Sequence, residues 1–210
     1  MAVTNGYSTA AAVKAALGIN DTSDDEGIEA AVEAASRQID AHCGKGRKFW
    51  QDASVVARKY NPTMATVVTV ADISTLTGLL VKVDTSDDGT FDTSLTIATD
   101  FQVEPVNAAA EYPVEPWTCI RLLDGALSSF TRLASGRPSV EVTAKFGWSA
   151  VPDAVERATA IQARSIWKAQ DTTFGSFALS LDGQPQRVPA LDPMARAQLE
   201  PFIRYDEVDD

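Results

Sequence analysis

His42 is the only histidine in the chain, and it stands beside Cys43, one of two cysteines. A cysteine nucleophile needs a base within hydrogen-bond reach, held by a third group. Neighbours on a helix point about 100° apart, and this pair falls at the end of a predicted helix, so it does not read as a catalytic dyad. It cannot complete a tetrahedral zinc site, and no Cys-x-x-Cys spacing occurs. The run Asp84-Thr-Ser-Asp-Asp-Gly89 resembles the start of a calcium loop. Counted as an EF-hand, however, it puts Leu95 where a bidentate glutamate is required, and its flanks read as strands. A β-hairpin turning at Asp-Gly explains the same letters. Carboxylate pairs for glycoside hydrolysis are available among 29 acidic residues, but none is singled out by spacing. Trp117 and Trp148 offer flat apolar faces for stacking on a sugar ring, the alternative being core packing. No Gly-x-Ser-x-Gly, phosphate-loop, His-Glu-x-x-His or dinucleotide-binding pattern is present. The sequence therefore assigns no catalytic residue, no metal ligand and no cofactor.

With 45% hydrophobic and 22% charged residues over 210 positions, the composition is that of a globular protein. The formal net charge of −11 disfavours gripping a phosphate backbone and docking on anionic lipid. It leaves room for DNA to pass without being held. Met1 to Tyr7 lacks the basic and apolar segments of a signal peptide. Apolar runs such as Gly78 to Val83 are too short to span a bilayer. The expectation is a protein of reducing cytosol with no membrane partner, its cysteines serving as small buried hydrophobes. A Cys43–Cys119 disulfide is the other option.

The elements that must position these residues begin with a short helix through Ala10, Val13 and Leu17. Ser8 or Thr9 caps it, and Gly18 ends it. An acidic loop leads into a second helix over 25–43, whose Ile28, Val32, Ala35 and Ile39 form one apolar stripe. Helical periodicity then gives way to strand-like runs at 55–60, 66–70, 79–84, 94–98, 101–104, 118–123 and 139–146, with proline and glycine mainly between them. Seven short strands in that window point to a small antiparallel sandwich or barrel. A third helix follows from Pro152 to about Lys168, and packs on the Ile28–Ile39 stripe. A fourth starts with Asp192 as cap and Pro193 in its first turn. The fold class is α+β: an antiparallel helical bundle with a β domain inserted between helices 2 and 3. The expected organisation is N-terminal helices at 1–48, the β domain at 49–148 and C-terminal helices at 149–210. The long stretch 171–191 has no clean period, yet carries Phe174, Phe177, Leu179 and Leu181. Such a loop is often functional, and its apolar residues need cover.

Several segments taken in order resemble a known family. They are Tyr7-Ser-Thr with Val13-Lys-Ala-Ala-Leu-Gly-Ile19; Ile28 through Ala34-Ala-Ser-Arg-Gln-Ile-Asp40 with Cys43-Gly44; and Asp84-Thr-Ser-Asp-Asp-Gly-Thr-Phe91 with Pro105-Val-Asn-Ala108. Val140-Glu-Val-Thr-Ala-Lys-Phe-Gly-Trp148 before Val151-Pro152, and Leu191-Asp-Pro through Leu199-Glu-Pro-Phe202, complete the order. Together they resemble the head-to-tail adaptor (head-completion or connector) proteins of long-tailed phages, notably those infecting actinobacteria. That resemblance implies a non-enzymatic virion part, a cyclic homo-oligomer and dodecamer beneath the portal protein. The ring would extend the DNA channel and receive the next neck or tail component, a stopper or tail terminator. DNA would pass without sequence-specific binding. The partner-interface residues expected are Phe174, Phe177, Leu179, Leu181, Met194, Phe202 and Tyr205. The other readings carried forward are a carbohydrate-binding or carbohydrate-cleaving β module and another virion neck or tail protein.

Overall fold

The computed structural model describes residues 5–44, 47–111, 113–123, 125, 127–170, 178–179, 185–186 and 190–204. The fold is α+β, with four α-helices and a six-stranded antiparallel sheet among the described residues. The chain divides into two compact units, one of residues Met1–Arg47 with Val151–Asp210 and one of residues Lys48–Ala150.

The first unit is helical. In α1 (Ala10–Leu17) the Thr9 hydroxyl accepts the Ala12 N–H at 3.1 Å. The helix ends at Gly18, whose φ of 73° suits a residue without Cβ. In α2 (Asp25–Cys43) the acids Asp25 and Glu26 occupy the first turn, where the helix dipole favours negative charge. Ile28, Val32, Ala35 and Ile39 are all fully buried, as their spacing predicts. Ile28, Val32 and Ala35 share a core with Val13 of α1 and with Ala163 of α3 (Asp153–Gln170). Gly27 lets Trp167 lie close, since a Cβ there would stand 2.3 Å from the indole ring. The buried amide of Gln162 joins three pieces of chain. Its nitrogen donates to the Gln38 side chain at 2.6 Å and the Ala190 carbonyl at 3.1 Å, and its oxygen accepts the Asp192 N–H at 2.8 Å. Asp192 in turn caps α4 (Pro193–Leu199), accepting the Met194 N–H at 2.8 Å. A 3₁₀ turn, Glu200–Phe202, follows. A two-residue pair, Ala178–Leu179 with Pro185–Gln186, also lies in this unit.

The second unit is one sheet built from β1 (Val56–Tyr60), β2 (Val67–Val83), β3 (Thr93–Leu95), β4 (Phe101–Glu104), β5 (Trp117–Leu122) and β6 (Val140–Phe146). The order is β1-β6-β2-β5-β4, with β3 beside the far end of β2. Two expected strands, 66–70 and 79–84, are halves of the single strand β2. Gly78, with φ of 80°, reads as a break in sequence. In the fold it sits within an irregular stretch, between the Thr75↔Lys145 and Leu80↔Thr143 pairs, where β2 carries surplus residues against β6. Alternation is clean in β6, where Val140, Val142, Ala144 and Phe146 are fully buried. They pack with Val68, Ile73, Val81, Phe101 and Ile120 in one core. Beyond β6, Gly147 has φ of 105°, and a Cβ on it would stand 1.8 Å from the Trp50 carbonyl oxygen.

Candidate interaction surface

The residues with reactive chemistry are absorbed by the fold. Cys43 is fully buried at the end of α2, and its main-chain carbonyl accepts the Arg204 N–H at 2.7 Å. Burial pushes its thiol up to about 12, so it stays protonated at neutral pH. Nε2 of His42 is buried without a hydrogen-bond partner among the described residues. Both cysteines are free thiols, and Cys119 is half-buried on β5.

The Asp84 run is a hairpin connection, longer than the tight Asp-Gly turn the sequence allows. It spans residues 84–92 between the paired strands β2 and β3. The buried carboxylate of Asp84 organises it. One oxygen accepts the N–H groups of Ser86 at 3.1 Å and Asp87 at 2.8 Å, and the other accepts that of Gly89 at 2.8 Å. Asp87 then accepts the Ser135 N–H at 2.9 Å, and Ser135 holds its carboxyl below the usual carboxylate range. Asp88 accepts the Thr90 N–H at 2.7 Å. These carboxylates face main-chain donors, the arrangement of a loop clamp rather than a cation cage. Among the described residues no group of three or more potential ligands is placed to hold a metal ion.

The sugar-stacking idea is corrected by burial. Trp117 is 9% exposed and Trp148 is 3% exposed, so neither presents a ring face to solvent. Trp148 packs at 5.3 Å from Phe49 and donates its indole N–H to the buried Asp72 carboxylate at 3.1 Å. Sequence alone shows neither this bond nor the role of Gln162, because both pair polar side chains with residues distant in the chain.

One depression is an open groove of about 380 Å³ on the helical unit, flanked by Ala11, Ala15, Asn20 and Glu29 and crossed by the Lys14–Asp25 ion pair. A second hollow, of about 10 Å³ beside Asp84 and Ser139, has room for roughly one water molecule. Neither brings a nucleophile, a base and an oxyanion donor together. Among the described residues no helix is long and apolar enough to cross a membrane.

What the molecule offers is surface. Of the seven residues expected at a partner interface, Phe174, Phe177, Leu181 and Tyr205 lie outside the described residues. Leu179 falls on the short strand Ala178–Leu179. Met194, on the first turn of α4, is 70% exposed, whereas Phe202 is 7% exposed within its own chain. The sheet unit adds exposed apolar residues that the sequence did not single out. Val55 and Val56 lie at β1, and Val106 and Val114 lie between β4 and β5. Their signal was present as apolar letters at an edge strand and in a connection, a placement that only the sheet order reveals.

No family model and no curated protein matches the chain. Solved structures share its fold across the whole length. One is a chain from the neck of an empty gene transfer agent (GTA) particle computed with C6 symmetry, at 16% identity and a TM-score of 0.54. Another is from the neck of a native GTA particle computed with C12 symmetry, at 16% and 0.50. A third is from the virion of a native GTA particle, at 17% and 0.52. Each comparison covers 100% of this chain and 96% of the other. The architecture described above is thus shared, end to end, with chains of GTA neck and virion structures.

Proposed function

We propose that the chain is a non-enzymatic structural component of the neck of a long-tailed phage or phage-like particle. Copies form a cyclic homo-oligomer, a dodecamer, beneath the portal. The ring joins the DNA-filled head to the tail, extends the DNA channel and offers a face to a stopper or tail terminator. The observation that carries this reading is the end-to-end fold match with GTA neck chains. The C6 and C12 symmetry of those necks supports a cyclic arrangement. Charge supports the channel. Twelve subunits at −11 each carry on the order of 130 negative charges, which repel a duplex instead of trapping it. The protein would be made in the host cytoplasm and retained in the virion.

Electron microscopy of the protein mixed with its genome-encoded portal tests the reading. An added ring on the portal stem is expected. Portal stems that stay bare at saturating protein overturn it. Within the same proposal, the segment 171–191 contacts the portal or an adjacent subunit through Phe174, Phe177, Leu179 and Leu181. Deleting residues 173–189 then abolishes that ring while the purified variant keeps its far-ultraviolet circular dichroism. Unimpaired ring addition by the variant removes the segment from the interface.

A further inference from the structure

The margin of the sheet at β1 departs from ordinary monomer chemistry. Residues 53–57, Ala-Ser-Val-Val-Ala, are all exposed, with Val55 at 45% and Val56 at 42%. Among the described strands β1 pairs only with β6, so its outer row of main-chain donors and acceptors serves no other strand. Val56 is in register with the fully buried Ala144, so the core-facing row of the sheet runs out into solvent there. A soluble protein ordinarily blunts such an edge with charge, proline or a covering element, because it invites another chain.

At the opposite margin, β4 leads into the connection 105–116. Val106 is 68% exposed and Val114 is 44% exposed, and Glu111 and Glu115 beside them are exposed as well. This patch is held in place by its own chain. Ala108 is fully buried, Ala110 N–H donates to the Asn107 carbonyl at 2.8 Å, and Glu115 N–H donates to the Ala108 carbonyl at 3.1 Å. Its contacts are presented without a large ordering penalty. The two margins also differ in charge. On β1 Lys59 is exposed, while Arg58 is half-buried over the Phe146 ring and pairs with Asp52 at 3.5 Å; the connection carries the two glutamates.

We propose that these margins bind each other between copies, the β1 edge of one subunit seating the 105–116 connection of the next. Two different patches on opposite edges of one sheet make a heterologous contact, the kind that generates a ring when its rotation closes. A β1-to-β1 contact would instead bring the exposed Lys59 of both copies into one interface. The inference rests on the assembly reading above and names its interface.

Mixed cross-linking tests it in the full-length chain. In a Cys119→Ser background, with Cys43 buried, Val56→Cys and Val106→Cys are made separately, and each is treated with a short bis-maleimide at high protein concentration. Covalent dimers are expected from the mixture of the two variants, at least tenfold above either variant alone. Self-dimers of the Val56→Cys protein as the main product overturn the proposal in favour of symmetric edge pairing. The unsubstituted protein is sedimented in parallel. Large species there, with no mixture-specific dimer, overturn this interface while leaving the ring. A chain that stays monomeric and uncross-linked even with its genome-encoded portal present overturns both.

Discussion

Asp84 shows how one side chain sets a local structure. Its two oxygens take three main-chain N–H groups, which leaves the loop 84–92 little freedom. Asp84→Ala strands those donors and should cost about 3 kcal/mol, read as a lower urea midpoint. Added calcium should leave the melting temperature of the unsubstituted protein unchanged, since the carboxylate is already engaged. Asp40 behaves oppositely. Burial raises its carboxyl above 3.8, against the Tyr7 hydroxyl and Arg37, which pull it down. A raised carboxylate means that the folded state holds the proton more tightly than the unfolded chain. Ionised Asp40 therefore opposes folding at neutral pH, and the penalty fades as pH falls through its folded value toward 3.8. Asp40→Asn should raise stability at pH 7 and have no effect near pH 3, as followed by denaturant melts across pH. The turn character of the Asp84 run was legible from Asp and Gly letters. The Trp148–Asp72 bond was not, because its partners lie 76 residues apart and meet only once the sheet has formed.

Among the elements, the helices were the most legible, for a physical reason. Caps and apolar spacing are local, so Thr9, Gly18 and Asp192 mark ends that the fold keeps. Strand β2 was not, because a glycine that ends a strand and one that sits in a bulge look alike in sequence. The α2–α3 contact gives a sharp test. Gly27→Ala should push Trp167 aside and cost about 2 kcal/mol, with Trp167→Leu restoring much of the loss in a double-mutant cycle. At the end of β6, Gly147→Ala meets main chain rather than a movable ring, and its φ of 105° adds strain. A loss of about 4 kcal/mol or more is expected, enough to abolish soluble expression in a marginal host fold. The candidate surfaces were only half visible. The greasy stretch 171–191 stands out by composition, whereas exposure at Val56 or Val106 follows from sheet order.

At the scale of the whole molecule, each unit has a core of its own. Residues 48–150 expressed alone should therefore unfold in one cooperative thermal transition, measured by near-ultraviolet circular dichroism through the buried Trp117 and Trp148. A gradual, featureless melt would show that the sheet leans on the rest of the chain. The helical unit is assembled from both ends of the sequence, Met1–Arg47 and Val151–Asp210. On a ribosome α2 emerges complete while α3 is still unwritten, and at ordinary elongation speeds the wait is roughly 5 to 20 seconds. During that pause the stripe Ile28–Ile39 lacks the cover of α3, and the intervening strands emerge and can close first. Birth order thus makes the early helices clients of whatever shields nascent chains, and slowing translation across the sheet-coding stretch should lower the yield of soluble protein.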